Sequence, residues 1–261
     1  MASSPINVLF SREYSKLKSA VNLLPAQRYK VTACPLFDIT AVEKTVQLRA
    51  DFAQMLASDY LIFTSQYAVI ETLEYLKLLG INSAQLNALK ICVVGPVVAR
   101  QLTEYGLNTD LMPELYTAES LADLFPPVTD QAQQIFFPKG NRAALKLEQV
   151  LTKKGYNVVS PIIYKTELRC GLDSPAKILF ENNSVDCFAF TSPSSVQALM
   201  AILTNAEQQK ALSHTVICAI GTTTYQACLA AGLTVNIMPT EYTVEGLARA
   251  IDSFYAPTSS G

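Results

Sequence analysis

Short runs of consecutive apolar residues punctuate this chain, and they do not alternate with polar ones. Candidate strands lie near Ile6–Phe10, Val31–Pro35, Tyr60–Thr64, Ile91–Val94, Ile135–Pro138, Val158–Ile162, Asp186–Thr191 and Val216–Ile220. A strand covered on one face reads as an alternation, whereas a run that is apolar throughout is covered on both, the habit of parallel sheets. Weaker strands, Thr109–Met112 and Thr234–Met238, follow two Gly-Leu turns. Stretches of helical period lie between the strands. Arg142–Lys154 puts Leu145, Leu147, Val150 and Leu151 around one side and stops at Gly155, a residue suited to ending a helix. Ser194–Leu203 follows a Ser-Pro start, and Thr223–Ala231 ends at Gly232. Strand and helix alternate throughout, which predicts an α/β fold built on parallel sheets.

The chain also repeats itself residue by residue. Phe63-Thr64-Ser65 returns as Phe190-Thr191-Ser192, and Ile91-Cys92-Val93-Val94-Gly95 returns as Ile217-Cys218-Ala219-Ile220-Gly221. Tyr105-Gly106-Leu107 matches Ala231-Gly232-Leu233, Met112-Pro113 matches Met238-Pro239, and Tyr116-Thr117-Ala118-Glu119-Ser120-Leu121 matches Tyr242-Thr243-Val244-Glu245-Gly246-Leu247. The offset is 126 at the glycine (232 − 106), the proline (239 − 113) and the tyrosine (242 − 116). One register kept over such different residue types points to a duplicated unit. Two copies imply two lobes with a cleft, where small-molecule sites form. Taken alone, the repeat puts a boundary near residue 130, beside Pro126-Pro127 and the polar stretch Asp130–Gln134. The tail Pro257–Gly261 is expected to be loose.

Composition narrows the function. At 261 residues the chain has room for two domains that each bury a core, and 50% hydrophobic residues fit a well-packed protein. A net charge of −2, from 20 basic and 22 acidic residues, argues against nucleic acid as a partner. No apolar stretch approaches the roughly 18 residues of a membrane span. Met1-Ala2-Ser3-Ser4-Pro5 lacks the basic start and apolar centre of a signal peptide, so a cytoplasmic protein is expected. Six cysteines without a C-x-x-C pair fit buried, reduced thiols. The one histidine, His214, would have to carry any Ser-His-Asp triad or two-histidine metal site alone, so neither is expected. There is no Gly-Lys-Ser/Thr phosphate loop and no G-x-G-x-x-G, which argues against a nucleotide cofactor.

Candidate chemistry sits where the strands end, because ligands of an open parallel sheet bind beyond its carboxyl edge. One strand there ends in Thr64-Ser65, and its repeat ends in Thr191-Ser192-Pro193-Ser194-Ser195. Another ends in Gly95-Pro96, and its repeat in Gly221-Thr222-Thr223-Thr224. A further element runs Phe137-Pro138-Lys139-Gly140-Asn141-Arg142. Each turn is also an ordinary helix cap, which any one of them would be on its own. Together they offer backbone N–H groups and hydroxyls at helix starts, a setting that favours anions. Lys139, Arg142 and Arg12 can add local positive charge. A ligand with several negative groups is therefore expected, with substrate contacts from these turns. Tyr164, in Pro161-Ile162-Ile163-Tyr164-Lys165-Thr166, follows an apolar strand and occupies the place of Asp38 in the first copy. It can either pack at a rim or hand a proton to a leaving oxygen.

Taken together, these segments resemble the uroporphyrinogen-III synthase family over essentially the whole chain. The resemblance rests on Phe-Thr-Ser-Pro-Ser-Ser-Val at 190–196, Ala-Ile-Gly-Thr-Thr-Thr at 219–224, Ala-Gly-Leu at 231–233, Pro-Thr-Glu-Tyr-Thr-Val-Glu-Gly-Leu at 239–247 and Ile-Ile-Tyr-Lys-Thr at 162–166. It implies a cytoplasmic, cofactor-free and metal-free enzyme of tetrapyrrole synthesis. Its substrate would be hydroxymethylbilane, a chain of four pyrroles bearing eight carboxylates, closed with loss of water and inversion of the last ring. It implies two similar lobes, each a flavodoxin-like parallel sheet flanked by helices. One lobe would comprise 1–36 with 168–261 and the other 39–165, with a two-stranded link near 36–40 and 164–169 that could act as a hinge. This replaces the boundary near residue 130. By the same resemblance Tyr164 falls on the family's functional tyrosine, Thr191, Ser192 and Ser194 on its Thr-Ser-Pro-Ser turn, and Thr223 and Thr224 on its Gly-Pro-Thr-Thr turn. Thr222 stands where proline is usual. In the first copy Val97 and Val98 replace the threonines, so hydroxyl donors should come mainly from the C-terminal copy. A monomer is expected, with transient contact to the upstream bilane-forming enzyme.

Two other classes compete. One is a non-catalytic two-lobe binding protein for a small anion, which is usually exported and would carry a signal peptide. The other is a two-lobe transferase, which would want a basic diphosphate site or an acidic metal pair.

Overall fold

The computed structural model describes residues 4–143, 145–203 and 212–256, so the tail Pro257–Gly261 lies outside them. The chain divides into two compact units, one formed by the residues up to Asp38 and from Glu167 onward, the other by Ile39–Thr166. The boundary near residue 130 that the repeat alone suggests falls inside the second unit.

In chain order the first elements are β1 (Ile6–Phe10), α1 (Lys18–Leu23), β2 (Tyr29–Ala33), β3 (Phe37–Ala41), α2 (Val46–Met55), β4 (Tyr60–Phe63) and α3 (Gln66–Leu78). There follow β5 (Lys90–Val93), α4 (Pro96–Glu104), α5 (Ala118–Asp123), β6 (Gln134–Phe136), β7 (Lys139–Gly140), α6 (Lys146–Lys153) and β8 (Asn157–Val159). The last are β9 (Ile162–Leu168), α7 (Ser174–Glu181), β10 (Cys187–Phe190), α8 (Pro193–Ile202), β11 (Val216–Ala219), α9 (Thr222–Ala230), β12 (Val235–Ile237) and α10 (Val244–Tyr255).

The first unit is an all-parallel sheet in the order β2-β1-β10-β11-β12. Counted along its own strands this is 2-1-3-4-5, the flavodoxin-like order, whose switch point lies between strands one and three. The second unit is also all-parallel, in the order β8-β6-β4-β5. It has the same spatial arrangement, but the chain enters at the third position and supplies the first two strands last. Cys92 pairs with Leu111, and Cys218 pairs with Ile237, 126 residues on in each case. The strand expected over Thr109–Met112 shrinks to that one bridge. Asp110 donates its N–H to Ile91 O (2.8 Å), while its carboxylate accepts the Ile91 N–H (2.7 Å), and in the first unit Asn236 of β12 accepts the Ile217 N–H on its side chain in the same way (2.9 Å).

The continuous apolar runs have a direct cause. Leu61, Phe63, Ile91, Val93 and Phe136 face one core of the second unit, under α2, α3 and α4. Tyr60, Ile62, Cys92 and Ile135 face another, under α5 and α6. In the first unit Leu9, Phe188, Phe190 and Ile217 lie under α7, α8 and α9, and Val8, Phe10, Cys187 and Cys218 under α1 and α10. Successive side chains leave a strand on opposite sides, so a sheet covered twice needs apolar residues at every position.

The repeated Gly-Leu turns end two equivalent helices. Gly106 (φ +73°) and Gly232 (φ +77°) take the left-handed conformation after α4 and α9. The next amides, Leu107 and Leu233, donate back to Leu102 O (3.1 Å) and Cys228 O (2.9 Å). This closure requires positive φ at the residue between, which glycine adopts without steric cost.

β3 and β9 connect the two units. Val42 N–H donates to Ile163 O and Arg169 N–H to Leu36 O, both at 3.1 Å, which makes the pair antiparallel. Two sequence expectations change here. The strand foreseen over Val158–Ile162 is split by Pro161, which lacks an N–H for the ladder, so β8 ends at Val159 and β9 begins at Ile162. Tyr164 therefore lies within a strand, not beyond its end. The helix foreseen from Arg142 starts only at Lys146. Lys139 and Gly140 pair with β9, and Asn141 donates its N–H to Tyr164 O (3.2 Å) and accepts the Thr166 N–H on its side chain (2.8 Å). These bonds hold the segment extended where the periodicity reads as helix.

Candidate active site

In the second unit the carboxyl end of β4 delivers Thr64 and Ser65. Ser65 is the N-cap of α3: its Oγ accepts the Ala68 N–H at 3.1 Å. The same oxygen stands 2.9 Å from the phenol oxygen of Tyr164 on β9, ninety-nine residues away in the chain. Tyr164 is half-buried, and its ring lies 5.8 Å from that of Tyr67. It lies close over Gly140. A Cβ built on that glycine would come within 2.4 Å of the tyrosine Cζ and 2.7 Å of its oxygen, so only a residue without a side chain admits the ring there. Sequence reasoning singled out Tyr164 and Ser65 separately, and the fold makes them one hydrogen-bonded pair.

The adjacent strand β5 delivers Gly95, the N-cap of α4, which has no side-chain cap and opens with Pro96. Val97 is exposed and Val98 buried, so no hydroxyl arises from this turn. Lys139 is buried on β7, and its ammonium forms an ion pair with Glu148 of α6. Burial pushes the Glu148 carboxyl up. Hydrogen bonds from Lys139 and Ser160, with the Lys139 charge, outweigh that and hold it below the usual carboxylate range. The charge that the sequence offered to a ligand at Lys139 is thus neutralised inside the unit. Arg142 is exposed in the turn before α6.

In the first unit five hydroxyls meet where β1 and β10 end, the switch point of the sheet. Ser192 caps α8 by accepting the Ser195 N–H (3.2 Å), and Ser195 Oγ accepts the Ser192 N–H (3.3 Å) in return, a reciprocal capping box. Ser195 is buried and also donates to Ser192 O at 2.6 Å. Thr191 and Ser192 are partly exposed and Ser194 is exposed, with Ser194 Oγ 3.0 Å from Ser192 Oγ. The fifth hydroxyl is Ser11, at the end of β1, a residue the sequence reading passed over in favour of its neighbour Arg12. Arg12 is partly exposed, and its charge reaches Lys16 and Glu245. Nothing local to Ser11 marks it, because its partners lie about 180 residues downstream.

The next strand, β11, delivers Gly221, the N-cap of α9, again without a side-chain cap. Thr222 and Thr223 are exposed, whereas Thr224 is buried. The ring of Tyr242 lies over Gly221, 3.0 Å from where a Cβ would be, and Tyr116 lies over Gly95 at 3.4 Å. Open cavities of about 550 and 530 Å³ lie elsewhere, around Pro126–Gln133 and around Leu212–Ile217. They border the amino ends of the strands, away from the hydroxyl-rich turns. Among the described residues no group of three or more His, Cys, Asp or Glu side chains is placed to hold a metal ion.

Comparison with known proteins assigns the chain to a family. A family profile described as uroporphyrinogen-III synthase HemD matches residues 18–249. A putative uroporphyrinogen-III synthase of Methanothermobacter thermautotrophicus is 28% identical over 92% of this chain and 95% of its own. A uroporphyrinogen-III synthase of Synechococcus elongatus is 27% identical over 99% of this chain and 100% of its own. Among solved structures, a mutant uroporphyrinogen III synthase from Thermus thermophilus shares the fold, with a TM-score of 0.64 at 19% identity over 95% of this chain and 97% of the other. A profile that runs from α1 into α10, through both units and both sets of strand-end turns, makes this chain a member of the uroporphyrinogen-III synthase family.

Proposed function

We propose that this protein is a cyclising hydro-lyase that converts hydroxymethylbilane to uroporphyrinogen III in the cytoplasm, without a cofactor. The observation that carries this reading is the family match across residues 18–249. The site geometry suits the reaction. Departure of the bilane's terminal hydroxyl is driven by a pyrrole nitrogen and leaves an azafulvene cation. Spontaneous closure of that cation gives the non-inverted ring. The protein's task is to bring the cation to the substituted carbon of the last pyrrole, so that a spiro intermediate forms, fragments and recloses. That task is positioning and electrostatics more than acid–base strength.

Tyr164 is the catalytic group in this reading. Ser65 Oγ uses one lone pair on the Ala68 N–H, and its own proton is free to point at the phenol oxygen 2.9 Å away. Tyr164 then keeps its O–H proton for the leaving hydroxyl, which departs as water. The proton lost when the last ring regains aromaticity restores the phenol. Substrate carboxylates are held by Thr191, Ser192 and Ser194 in the first unit, with Thr222, Thr223 and the amides after Gly221. In the second unit Thr64 and the amides after Gly95 serve the same purpose. Charge-assisted hydrogen bonds of this kind contribute roughly 1.5–3 kcal/mol each. Freshly prepared hydroxymethylbilane, with the product isomers resolved, tests the reading. Product enriched in type III supports it, and a mixture no richer in type III than the protein-free control defeats it.

A further inference from the structure

Ser11 stands at the carboxyl end of β1, buried, next to the switch point of the first unit's sheet. Parallel pairing of β1 with β10 matches Phe10 to Ala189, so the residue after Phe10 arrives beside the start of the Thr191-Ser192 turn. There Ser11 Oγ accepts the Thr191 N–H at 2.9 Å. Its single proton lies between Ser195 Oγ at 3.1 Å and Ala189 O at 3.2 Å, and Thr191 Oγ1 is 3.3 Å away. Donors and acceptors form one consistent relay: Thr191 N–H to Ser11, Ser11 O–H to Ser195, Ser195 O–H to Ser192 O. The turn therefore has two layers. Ser11 and Ser195 are buried, and their hydroxyls are committed to holding backbone. Thr191, Ser192 and Ser194 lie outside them with exposed surface.

The second unit has no such inner hydroxyl. Leu61 faces Phe136 in register, so the residue that reaches the end of Phe63, as Ser11 reaches the end of Phe190, is Pro138. Proline offers neither a donor nor a side-chain acceptor.

From this we infer that Ser11 is a positioning residue for anion binding. It fixes the direction of the Thr191 and Ser192 donors from beneath and does not itself touch the ligand. The inference rests on the reading that this turn holds carboxylates of the bilane. Without Ser11 Oγ the Thr191 amide loses its acceptor and Ser195 Oγ loses a donor, so the backbone that carries the outer hydroxyls shifts, although Ser192 Oγ keeps the Ser195 N–H and Thr191 Oγ1 keeps the Ser11 carbonyl. Substrate binding suffers, while the chemistry at Tyr164 in the other unit does not.

The test is steady-state turnover of hydroxymethylbilane by the wild-type protein, Ser11→Ala and Ser11→Thr, with a thermal melt of each. Ser11→Ala is expected to raise KM about 10- to 150-fold, the range for losing one well-aimed hydrogen bond to a charged group, with kcat within about threefold of wild type. Ser11→Thr keeps the hydroxyl and is expected to bring KM back to within about twofold of wild type. A role confined to folding would lower the melting point and the amount of active enzyme, leaving KM where it was. If Ser11→Ala does not fold, Ser11→Cys takes its place: sulfur fills the site but accepts only weakly, and a smaller rise in KM is expected. An unchanged KM in whichever variant folds, or a threonine variant as impaired as the alanine one, overturns the role of Ser11 while leaving the function intact. A wild-type protein that makes no excess of type III overturns both.

Discussion

The phenol oxygen of Tyr164 stands 2.9 Å from Oγ of Ser65, although one side chain comes from β9 and the other from the turn after β4. The contact joins a helix cap to a group with a transferable proton. Tyr164→Phe removes the proton and keeps the ring with its neighbour Tyr67. Type III formation is expected to fall about 10-fold or more, in protein that melts within a few degrees of wild type. Resolution of the product isomers, together with a thermal melt, checks this. Full activity in the phenylalanine variant would remove Tyr164 from the mechanism.

Gly140 sets where that phenol can be. An added methyl group would meet the tyrosine Cζ at 2.4 Å, and the atoms it meets are the far end of a side chain that can swing aside. Gly140 does not have positive φ, so its backbone accepts alanine. Gly140→Ala should therefore displace Tyr164 at little cost in stability and slow type III formation. Combined with Tyr164→Phe, it should add almost nothing to the defect, since both changes remove the same oxygen from the same place. Full additivity in rate would show that Gly140 acts through something else.

The pair formed by buried Lys139 and half-exposed Glu148 makes stability depend on pH in a set direction. Burial raises the carboxyl, and the bonds from Lys139 and Ser160 more than offset it, so the folded value lies below the ordinary carboxylate value. A group depressed on folding stabilises above its unfolded value and loses that contribution as pH falls through the folded one. Glu148→Gln should thus melt below wild type at about pH 7, and the gap should close below about pH 4. Melting curves of the two proteins across that range test this, and a gap independent of pH would contradict it.

Thiol chemistry provides a check on the packing. Of the six cysteines only Cys170 is exposed. Burial pushes Cys34, Cys92 and Cys228 up to about 12, and Cys218 well above the ordinary thiol value. A colourless-to-coloured thiol reagent at about pH 8 should titrate one group quickly in the native protein and all six after denaturation. A second fast thiol would mean that one of the sheet faces is less tightly covered than the cores imply.

Hydropathy alone determined that the strands are parallel and doubly covered. That property is local: each residue of Leu61–Phe63 or Phe188–Phe190 must satisfy whichever core it faces, so the run itself records both faces. Glycine marked the ends of α4 and α9 for an equally local reason, the positive φ of one residue. The strand-end hydroxyls were legible as well, because a helix cap is written within four residues.

What only the tertiary structure decided is which distant residues share a bond. Pairing of β1 with β10 brings Ser11 under Thr191, and pairing of β7 with β9 sets Gly140 under Tyr164. The latter pairing also shortens α6 and buries Lys139 against Glu148, turning a cation that reads as ligand-directed into an internal ion pair. No period or motif carries these facts, since strand neighbours in a parallel sheet are chosen by the whole chain's path. Hydrogen bonds then form between whatever side chains that path brings within about 3 Å.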